Sequence, residues 1–256
     1  MLINNLLSYF IIYSFMGWII ESIYRSIAEK KFINTGFLYG PFCPIYGIGA
    51  IIMYLFLNNY KENIILVFII GFVALSIWEY IVGWLLEKIF HTKYWDYSNN
   101  KFNIKGRICL VNSIFWGILG VIFIKYIHPL VVENLDKIPR DMLFIGIIVL
   151  GGYLLIDAIV TMIKVKKIDI RISKLSELNE TIKTKLNELK ELTNTTKTAK
   201  LDALQQKIDE LKIQQAKLKR KLLKQTIRLK KAFPTMKSEK ITEFLSQKID
   251  EIRHNK

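Results

Sequence analysis

Three acidic residues lie deep inside long apolar stretches of the sequence. Glu79 and Asp157 each follow the start of their stretch, at Ile64 and Met142, by 15 residues. At ~1.5 Å per residue, both lie about 22 Å from one membrane edge, and Glu21 reaches a similar depth in the first stretch. A charge at the bilayer centre costs roughly 2.5–3.5 kcal/mol on insertion scales and therefore needs a reason. The shared depth predicts one polar site in the inner third of the membrane.

Two arginines and several aromatic residues accompany these acids. Arg25 follows Glu21 by one helical turn, and Arg107 precedes the fourth apolar stretch. We expect paired acids and arginines to hold the polar head of a small or lipid-like ligand, and aromatic side chains to cover its apolar part. The alternative is that the charges hold helices together and serve only assembly. The candidate ligand-binding residues are Glu21, Arg25, Glu79, Asp157, Arg107, Asp96, Trp18, Tyr46, Trp78 and Trp95.

Signatures of soluble enzymes are missing from the sequence. It has no glycine-rich loop ending in Gly-Lys-Ser or Gly-Lys-Thr, no His-Glu-x-x-His, no Cys-x-x-Cys and no Gly-x-Ser-x-Gly. We therefore expect no ATP hydrolysis by the chain itself, no cofactor and no metal site. An intramembrane enzyme with Glu79 or Asp157 as general base is the least favoured interpretation, because no nucleophile or metal set accompanies them. Cys43 and Cys109 are too few for a disulfide framework and predict free thiols.

Five apolar stretches predict membrane-spanning helices, which need about 20 residues each. Hydrophobic residues make up 52% of the chain and are concentrated in its first two thirds. The predicted class is an all-α polytopic membrane protein with five transmembrane helices in residues 1–165 and a C-terminal cytoplasmic coiled-coil tail. The predicted spans run from Leu2 or Leu6 to Arg25, Gly40 to Leu57, Ile64 to Phe90, Ile108 to Tyr126, and Met142 to Ile163.

The charges between the spans predict an orientation, because short cytoplasmic loops carry an excess of Lys and Arg. The loop after the first span contains Lys30 and Lys31, and the loop after the third contains Lys93, Lys101 and Lys105. The other two loops have mixed charge. We predict an N-terminus outside and a C-terminus inside, in a bacterial cytoplasmic membrane. From Lys164 onward the tail has 25 Lys and Arg against 12 acids, which suits a solvated surface near anionic lipid.

The tail has the periodicity of a coiled coil. From Ile168 to Leu222, a seam that is apolar except at Asn179 and Gln215 alternates in steps of three and four with one break, at Thr193 to Thr198. The turn-prone break favours an antiparallel hairpin over residues 166–232, and one continuous intermolecular coiled coil is nearly as well supported. Pro234 ends the second helix, and residues 233–256 are predicted to form a short amphipathic helix.

Two connecting segments are unusual. Residues 34–47 combine glycines, prolines and aromatics where a helix should begin, so the backbone must bend at membrane depth, where only protein or a wet cavity tolerates it. Residues 94–110 join an aromatic cluster to Asp96, Gly106 and Arg107. Aromatics alone are typical of an interfacial anchoring belt, whereas these three residues favour a site.

Three ordered motifs carry a family resemblance. They are Asn-x-Gly-x-x-Tyr-Gly-Pro-x-x-Pro-Ile-Tyr-Gly (residues 34–47), Trp-Glu-Tyr (78–80), and Trp-Asp-Tyr-Ser…Phe-Asn…Gly-Arg-Ile-Cys-Leu…Trp-Gly (95–117). Over about residues 6–165 the chain resembles the bacterial membrane family named putative ABC-transporter type IV. The resemblance implies a permease-like component, and any ABC role would need a separate ATPase subunit because the chain has no nucleotide-binding domain.

Two function classes follow. The first is a membrane component that binds its ligand from the cytoplasmic side, and the second is a membrane scaffold whose coiled-coil tail recruits a cytoplasmic partner. The partners considered are the lipid bilayer, an ATPase subunit or another cytoplasmic protein, and a second copy of the chain; no specific nucleic acid is expected.

Overall fold

The chain is built from helices. The computed structural model describes residues 2–193, 198–244 and 246. Those residues include seven α-helices of nine residues or more, one 3-10 turn and one π turn, which confirms the predicted all-α class. The α-helices are α1 (Leu2–Glu29), α2 (Pro44–Leu57), α3 (Ile64–Phe90), α4 (Leu110–Ile122), α5 (His128–Asp136), α6 (Arg140–Thr193) and α7 (Thr198–Ala232).

Four helical stretches within the described residues are long and apolar enough to cross a membrane. Many of their apolar side chains are exposed, as Ile145, Val149 and Ile156 of α6 are, and such side chains face lipid in a membrane-spanning helix. The chain is therefore a polytopic membrane protein, as predicted. The four stretches are Ile3–Glu29, Ile64–Phe90, Leu110–Asp136 and Arg140–Glu191.

The fourth predicted span continues beyond Tyr126. Its helix passes from α4 through a π turn at Phe123–Ile127 into α5. Pro129 follows the π turn and has no N–H to donate to the preceding turn, while the His128 N–H donates to the Phe123 carbonyl. The predicted end at Tyr126 was wrong, because the proline changes the helical pitch without ending the helix.

The second predicted span differs most from the observed helix. α2 begins at Pro44 and not at Gly40, and Pro44 suits the first helical turn because its missing N–H is not needed there. The 14 residues of α2 cover about 21 Å, which is less than the ~30 Å thickness of a hydrocarbon core.

Residues 35–43, here called the 35–43 segment, run beside α1 before α2 begins. The Ser22 and Thr35 hydroxyls lie 2.9 Å apart, and the Cys43 N–H donates to the Ser14 carbonyl at 2.8 Å. Ser14 and Ser22 are separated by about 12 Å along the axis of α1. The 35–43 segment thus follows α1 over roughly that distance in a non-helical conformation.

The core of the membrane-spanning part lies between α1, α2, α3 and the π turn. Helices α3 and α4 approach closely at Gly71, where a side chain would lie 3.6 Å from the Cα atoms of Gly117 and Gly120. Small residues permit such contacts between membrane helices. The core cluster of buried residues contains Tyr9, Tyr13, Ala50, Met53, Leu57, Val67, Leu75, Phe123 and Ile124.

The chain divides into two compact units. The first comprises the residues up to Met162 together with Lys230–Lys237, and the second comprises Ile163–Leu229 and the described residues from Ser238. The first unit therefore includes a short segment from near the end of the chain.

In the second unit α6 and α7 run antiparallel. Asn179 accepts a hydrogen bond from Gln215 at 2.6 Å, and Arg171 donates to Gln225 at 2.5 Å, so residue numbers rise along one helix as they fall along the other. Residues 239–244 are also helical, whereas Leu245, Ile249 and Ile252 of the predicted amphipathic helix lie outside the described residues. The buried positions of the predicted seam include Ile168, Leu175, Ile182, Leu204, Ile208 and Leu222.

Candidate functional site

Asp157 binds the backbone of the 35–43 segment. Its carboxylate accepts the Gly40 N–H at 2.7 Å and the Tyr39 N–H at 3.3 Å, and the Thr161 hydroxyl donates to it at 3.2 Å. Non-helical backbone at membrane depth leaves amide groups without acceptors unless the protein supplies them. Asp157 supplies such an acceptor, so its position inside α6 has a structural reason.

Gly40 and two tryptophans of the candidate set hold the same segment in place. A Cβ atom at Gly40 would meet the Tyr153 hydroxyl at 2.5 Å and the Asp157 carboxylate at 3.0 Å, so the lack of a side chain at Gly40 allows the backbone to approach α6 without displacing either group. The Trp18 indole donates to the Asn34 side chain at 2.7 Å, and the Trp78 indole donates to the Ile45 carbonyl at 3.0 Å. These two tryptophans brace the ends of the segment.

Glu79 lies at the contact of α3 with α4 and with the loop of residues 91–109. Its side chain is buried, with 5% of the residue exposed. The Trp116 indole of α4 donates to the carboxylate at 2.9 Å, and the Tyr97 hydroxyl of the loop donates at 3.1 Å. Burial and the neighbouring Glu79 carboxylate raise the pKa of Tyr97, so this hydroxyl remains a donor at neutral pH. The Asn112 side chain of α4 also hydrogen-bonds to Glu79, and all three of these partners are uncharged.

Glu21 lies beside the same group of aromatics. The Tyr46 hydroxyl at the start of α2 donates to the Glu21 carboxylate, and the Tyr46 ring centroid lies 6.1 Å from that of Trp116. Tyr46 and Trp116 thus connect two acids on different helices. We call Glu21, Tyr46, Glu79, Tyr97 and Trp116 the carboxylate–aromatic cluster.

The two arginines of the candidate set have other partners. Arg107 donates to Glu87 at 2.8 and 3.1 Å and to the Tyr80 hydroxyl at 3.0 Å. Arg25 pairs with Glu29 at 3.5 Å, one turn further along α1. The structure therefore brings Glu21 and Glu79 to one aromatic group and assigns the arginines to carboxylates nearer the helix ends.

Asp96 forms a separate charged site on the 91–109 loop. Its side chain is 4% exposed and lies 3.0 Å from the Lys93 ammonium and 2.5 Å from that of Lys237. Burial alone would raise the pKa of this carboxyl, but hydrogen bonds from Lys237, Ser98 and Lys93 outweigh burial and hold the pKa below its ordinary value. Trp95, the preceding residue, donates to the Arg107 carbonyl at 2.9 Å and braces the loop.

Sequence reasoning missed three polar residues. Tyr97 and Trp116 lie within the third motif, and their polar tips were the signal that they could serve a buried acid. His128 lies beyond the predicted end of the fourth span at Tyr126, but its ring is buried and the Tyr13 hydroxyl lies 2.9 Å from its Nδ1. No local pattern identifies this pair, because 115 residues separate its members.

Cys43 and Cys109 are both free and buried.

These features define a polytopic membrane protein with buried acids at the contacts between helices. Residues 8–162 match the family model described as Putative ABC-transporter type IV. The match covers more than half of the chain, so the chain belongs to that family, and the resemblance seen in the three motifs is confirmed. No curated protein and no solved structure matches the chain. The match includes the whole carboxylate–aromatic cluster and ends where the second unit begins.

Proposed function

We propose that this chain is a permease-like membrane component that binds an organic cation at the carboxylate–aromatic cluster. The observation that carries the proposal is the environment of Glu79, a buried carboxylate whose hydrogen-bond partners, Tyr97, Trp116 and Asn112, are all neutral. A buried charge is costly unless an opposite charge accompanies it. A positively charged ligand would provide that charge.

The composition of the cluster favours an ammonium-type head on an apolar body. Carboxylates attract the positive charge, and the faces of Tyr and Trp rings bind organic cations through their π systems. Glu21 and Glu79 contribute the carboxylates, and Tyr46 and Trp116 contribute neighbouring rings. A ligand with an anionic head is disfavoured, because Arg25 and Arg107 are already paired with Glu29 and Glu87.

We infer five membrane crossings, with the 35–43 segment and α2 together forming the second. The Phe37 ring centroid lies 5.4 Å from that of Phe90 and 5.5 Å from that of Tyr94. The loops after α1 and α3 therefore lie at the same membrane face, and an even number of crossings must separate them. Helix α3 supplies one of these crossings, so the 35–43 segment with α2 supplies the other.

We take the face that carries these two loops as cytoplasmic, because both loops are rich in lysine. The cluster then lies beneath the third-motif loop, on the cytoplasmic side of the membrane.

Binding of tetraphenylphosphonium to the purified full-length protein tests this proposal. We expect saturable binding in equilibrium dialysis, at least a tenfold weaker affinity in Glu79→Gln, which corresponds to about 1.4 kcal/mol, and a smaller loss in Glu21→Gln. Glu133→Gln is the matched control, since Glu133 is an exposed acid paired with Lys137 at the opposite end of the membrane-spanning part.

Tetraphenylborate supplies the second control, because it has the same shape and the opposite charge. It should not compete with tetraphenylphosphonium. Equal binding by wild type and Glu79→Gln, or equal competition by the two ions, would overturn the proposal.

The second candidate function is a scaffold that recruits a cytoplasmic partner through the helical tail. It is favoured by the burial of the seam inside one chain, at positions such as Ile208 and Leu222, because the charged outer face is then left for a partner. The scaffold hypothesis predicts no saturable tetraphenylphosphonium binding by the wild-type protein.

A further inference from the structure

The first unit includes a segment that follows α7. Residues Lys230–Lys237 belong to it, although the family match ends at residue 162. This segment forms an antiparallel bridge with the 91–109 loop: the Lys93 N–H donates to the Lys237 carbonyl at 2.9 Å, and the Lys237 N–H donates to the Lys93 carbonyl at 2.8 Å. Two backbone hydrogen bonds thus fix the register between these distant parts of the chain.

Side chains reinforce this contact on both sides. The Phe233 ring packs edge-on against Tyr94, with 5.0 Å between centroids. The Lys237 ammonium lies 2.5 Å from the buried Asp96 carboxylate, and the Thr235 hydroxyl accepts the Asp96 N–H at 3.4 Å. Apolar, ionic and backbone contacts therefore all join residues 233–237 to the start of the loop.

The segment contacts residues next to both acids of the cluster. Tyr97, which donates to Glu79, directly follows Asp96 in the chain. The Arg25 guanidinium, one turn after Glu21 on α1, donates to the Lys231 carbonyl at 3.4 Å. Displacement of the segment would free Tyr97 to leave Glu79. It would also break the hydrogen bond from Arg25, which lies beside Glu21.

We propose that Phe233–Lys237 is a clasp that positions the 91–109 loop over the carboxylate–aromatic cluster and controls access to it. The role in access rests on the proposed function of the cluster, whereas the clasp itself does not. When the clasp is closed, Tyr97 is held on Glu79, and exchange of a ligand is slow. When it opens, the loop moves and exchange is fast. The clasp lies outside the family match, so it adds regulation to a site that the matched region already contains.

Cys109 is a native reporter of the loop. Its side chain is 1% exposed, and the Asn100 amide of the loop donates to its sulfur at 3.4 Å. In full-length protein carrying Cys43→Ala, the rate of Cys109 alkylation by N-ethylmaleimide should rise at least fivefold in the double variant Phe233→Ala/Lys237→Ala. The single variant Lys237→Arg keeps both the charge and Phe233, so its alkylation rate should stay as slow as that of the parent protein. Lys217→Ala, at an exposed lysine of α7, should have no effect.

The exchange rate of tetraphenylphosphonium measures access separately. Association and dissociation should both quicken in the double variant while the affinity changes less, because the clasp acts on entry and not on the carboxylates. Unchanged Cys109 alkylation in the double variant would overturn the clasp. Faster alkylation with unchanged exchange rates would overturn its control of access. Faster alkylation together with no tetraphenylphosphonium binding in any variant would overturn the proposed function and leave the clasp standing.

Discussion

The Tyr97 hydroxyl donates a hydrogen bond of 3.1 Å to the Glu79 carboxylate. A loop residue of the third motif and an acid within a membrane-spanning helix are thereby joined, although 18 residues separate them. The contact joins the third-motif loop directly to an intramembrane acid, and it connects the candidate site to the clasp.

Tyr97→Phe removes one of the neutral donors to Glu79 and keeps the ring. Hydrogen bonds to charged groups are worth roughly 1.5–3 kcal/mol, so we expect a loss of that order in the free energy of unfolding in detergent. In Glu79→Gln the same tyrosine change should cost less, giving a non-additive double-mutant cycle. Additive effects would show that the hydrogen bond between Tyr97 and Glu79 does not contribute to the free energy of unfolding.

Asp157→Asn should destabilise the protein through the 35–43 segment. The variant loses the charged acceptor for the Tyr39 and Gly40 amides, each of which costs about 1–3 kcal/mol when left unsatisfied. We expect a lower midpoint of thermal unfolding and, where the protein stays folded, unchanged discrimination between tetraphenylphosphonium and tetraphenylborate. Asp141→Asn, at an exposed acid of the same helix, is the control and should melt like the wild type.

The proposed five crossings predict how single cysteines react with a thiol reagent that does not cross membranes. A cysteine at Asn59 or Asp136 should react from outside intact cells, and one at Asn99 or Ser176 should react only after lysis. If cysteines at positions 59 and 99 react from the same side of the membrane, α2 does not complete a crossing.

The arginine pairing predicts which carboxylate couples to Arg107. The ion pair with Glu87 has an N–O distance of 2.8 Å, and the Arg107 side chain is 12% exposed. We expect non-additivity in a cycle of Arg107→Gln with Glu87→Gln, of about 0.5–3 kcal/mol. The cycle with Glu79→Gln should be close to additive. The opposite order would support the original prediction that arginines and intramembrane acids share one pocket.

The clasp should be insensitive to pH near neutrality. The pKa of Asp96 in the folded protein lies below the ordinary value of 3.8, since hydrogen bonds from Lys237, Ser98 and Lys93 overcome the effect of burial. Such a group contributes stability that is fully present above the ordinary pKa and is lost as the pH falls through the lowered one. The ratio of Cys109 alkylation rates between Asp96→Asn and wild type should therefore stay constant from about pH 5 to pH 8. A ratio that approaches one within that range would contradict the ionic role of Asp96.

The sequence was sufficient for features that depend on local composition. Long apolar runs identified α1, α3 and the membrane-spanning part of α6, and the period of the tail identified positions such as Leu175 and Ile208 that are buried. It also identified the backbone bend near Gly40, because glycine and proline restrict helices through their own geometry.

The remaining features depend on contacts between distant residues. The common depth of Glu79 and Asp157 suggested one site, but depth does not specify which neighbours each side chain meets. Asp157 satisfies two backbone amides, whereas Glu79 meets Trp116 and Tyr97. The backbone pairing of Lys93 with Lys237 could not be predicted from the sequence either, since no periodicity relates a membrane-edge loop to a segment that follows the coiled coil.

The dependence of the 35–43 segment on Asp157 also constrains how the protein is made. Asp157 is synthesised 117 residues after Gly40, so the amides of this segment lack their acceptor while the first three helices leave the ribosome. The short α2 cannot compensate for them, because it lacks the length of an independent transmembrane helix. We therefore expect the proposed second crossing to be completed late, after α6 has entered the bilayer, and out of the order in which the chain is translated.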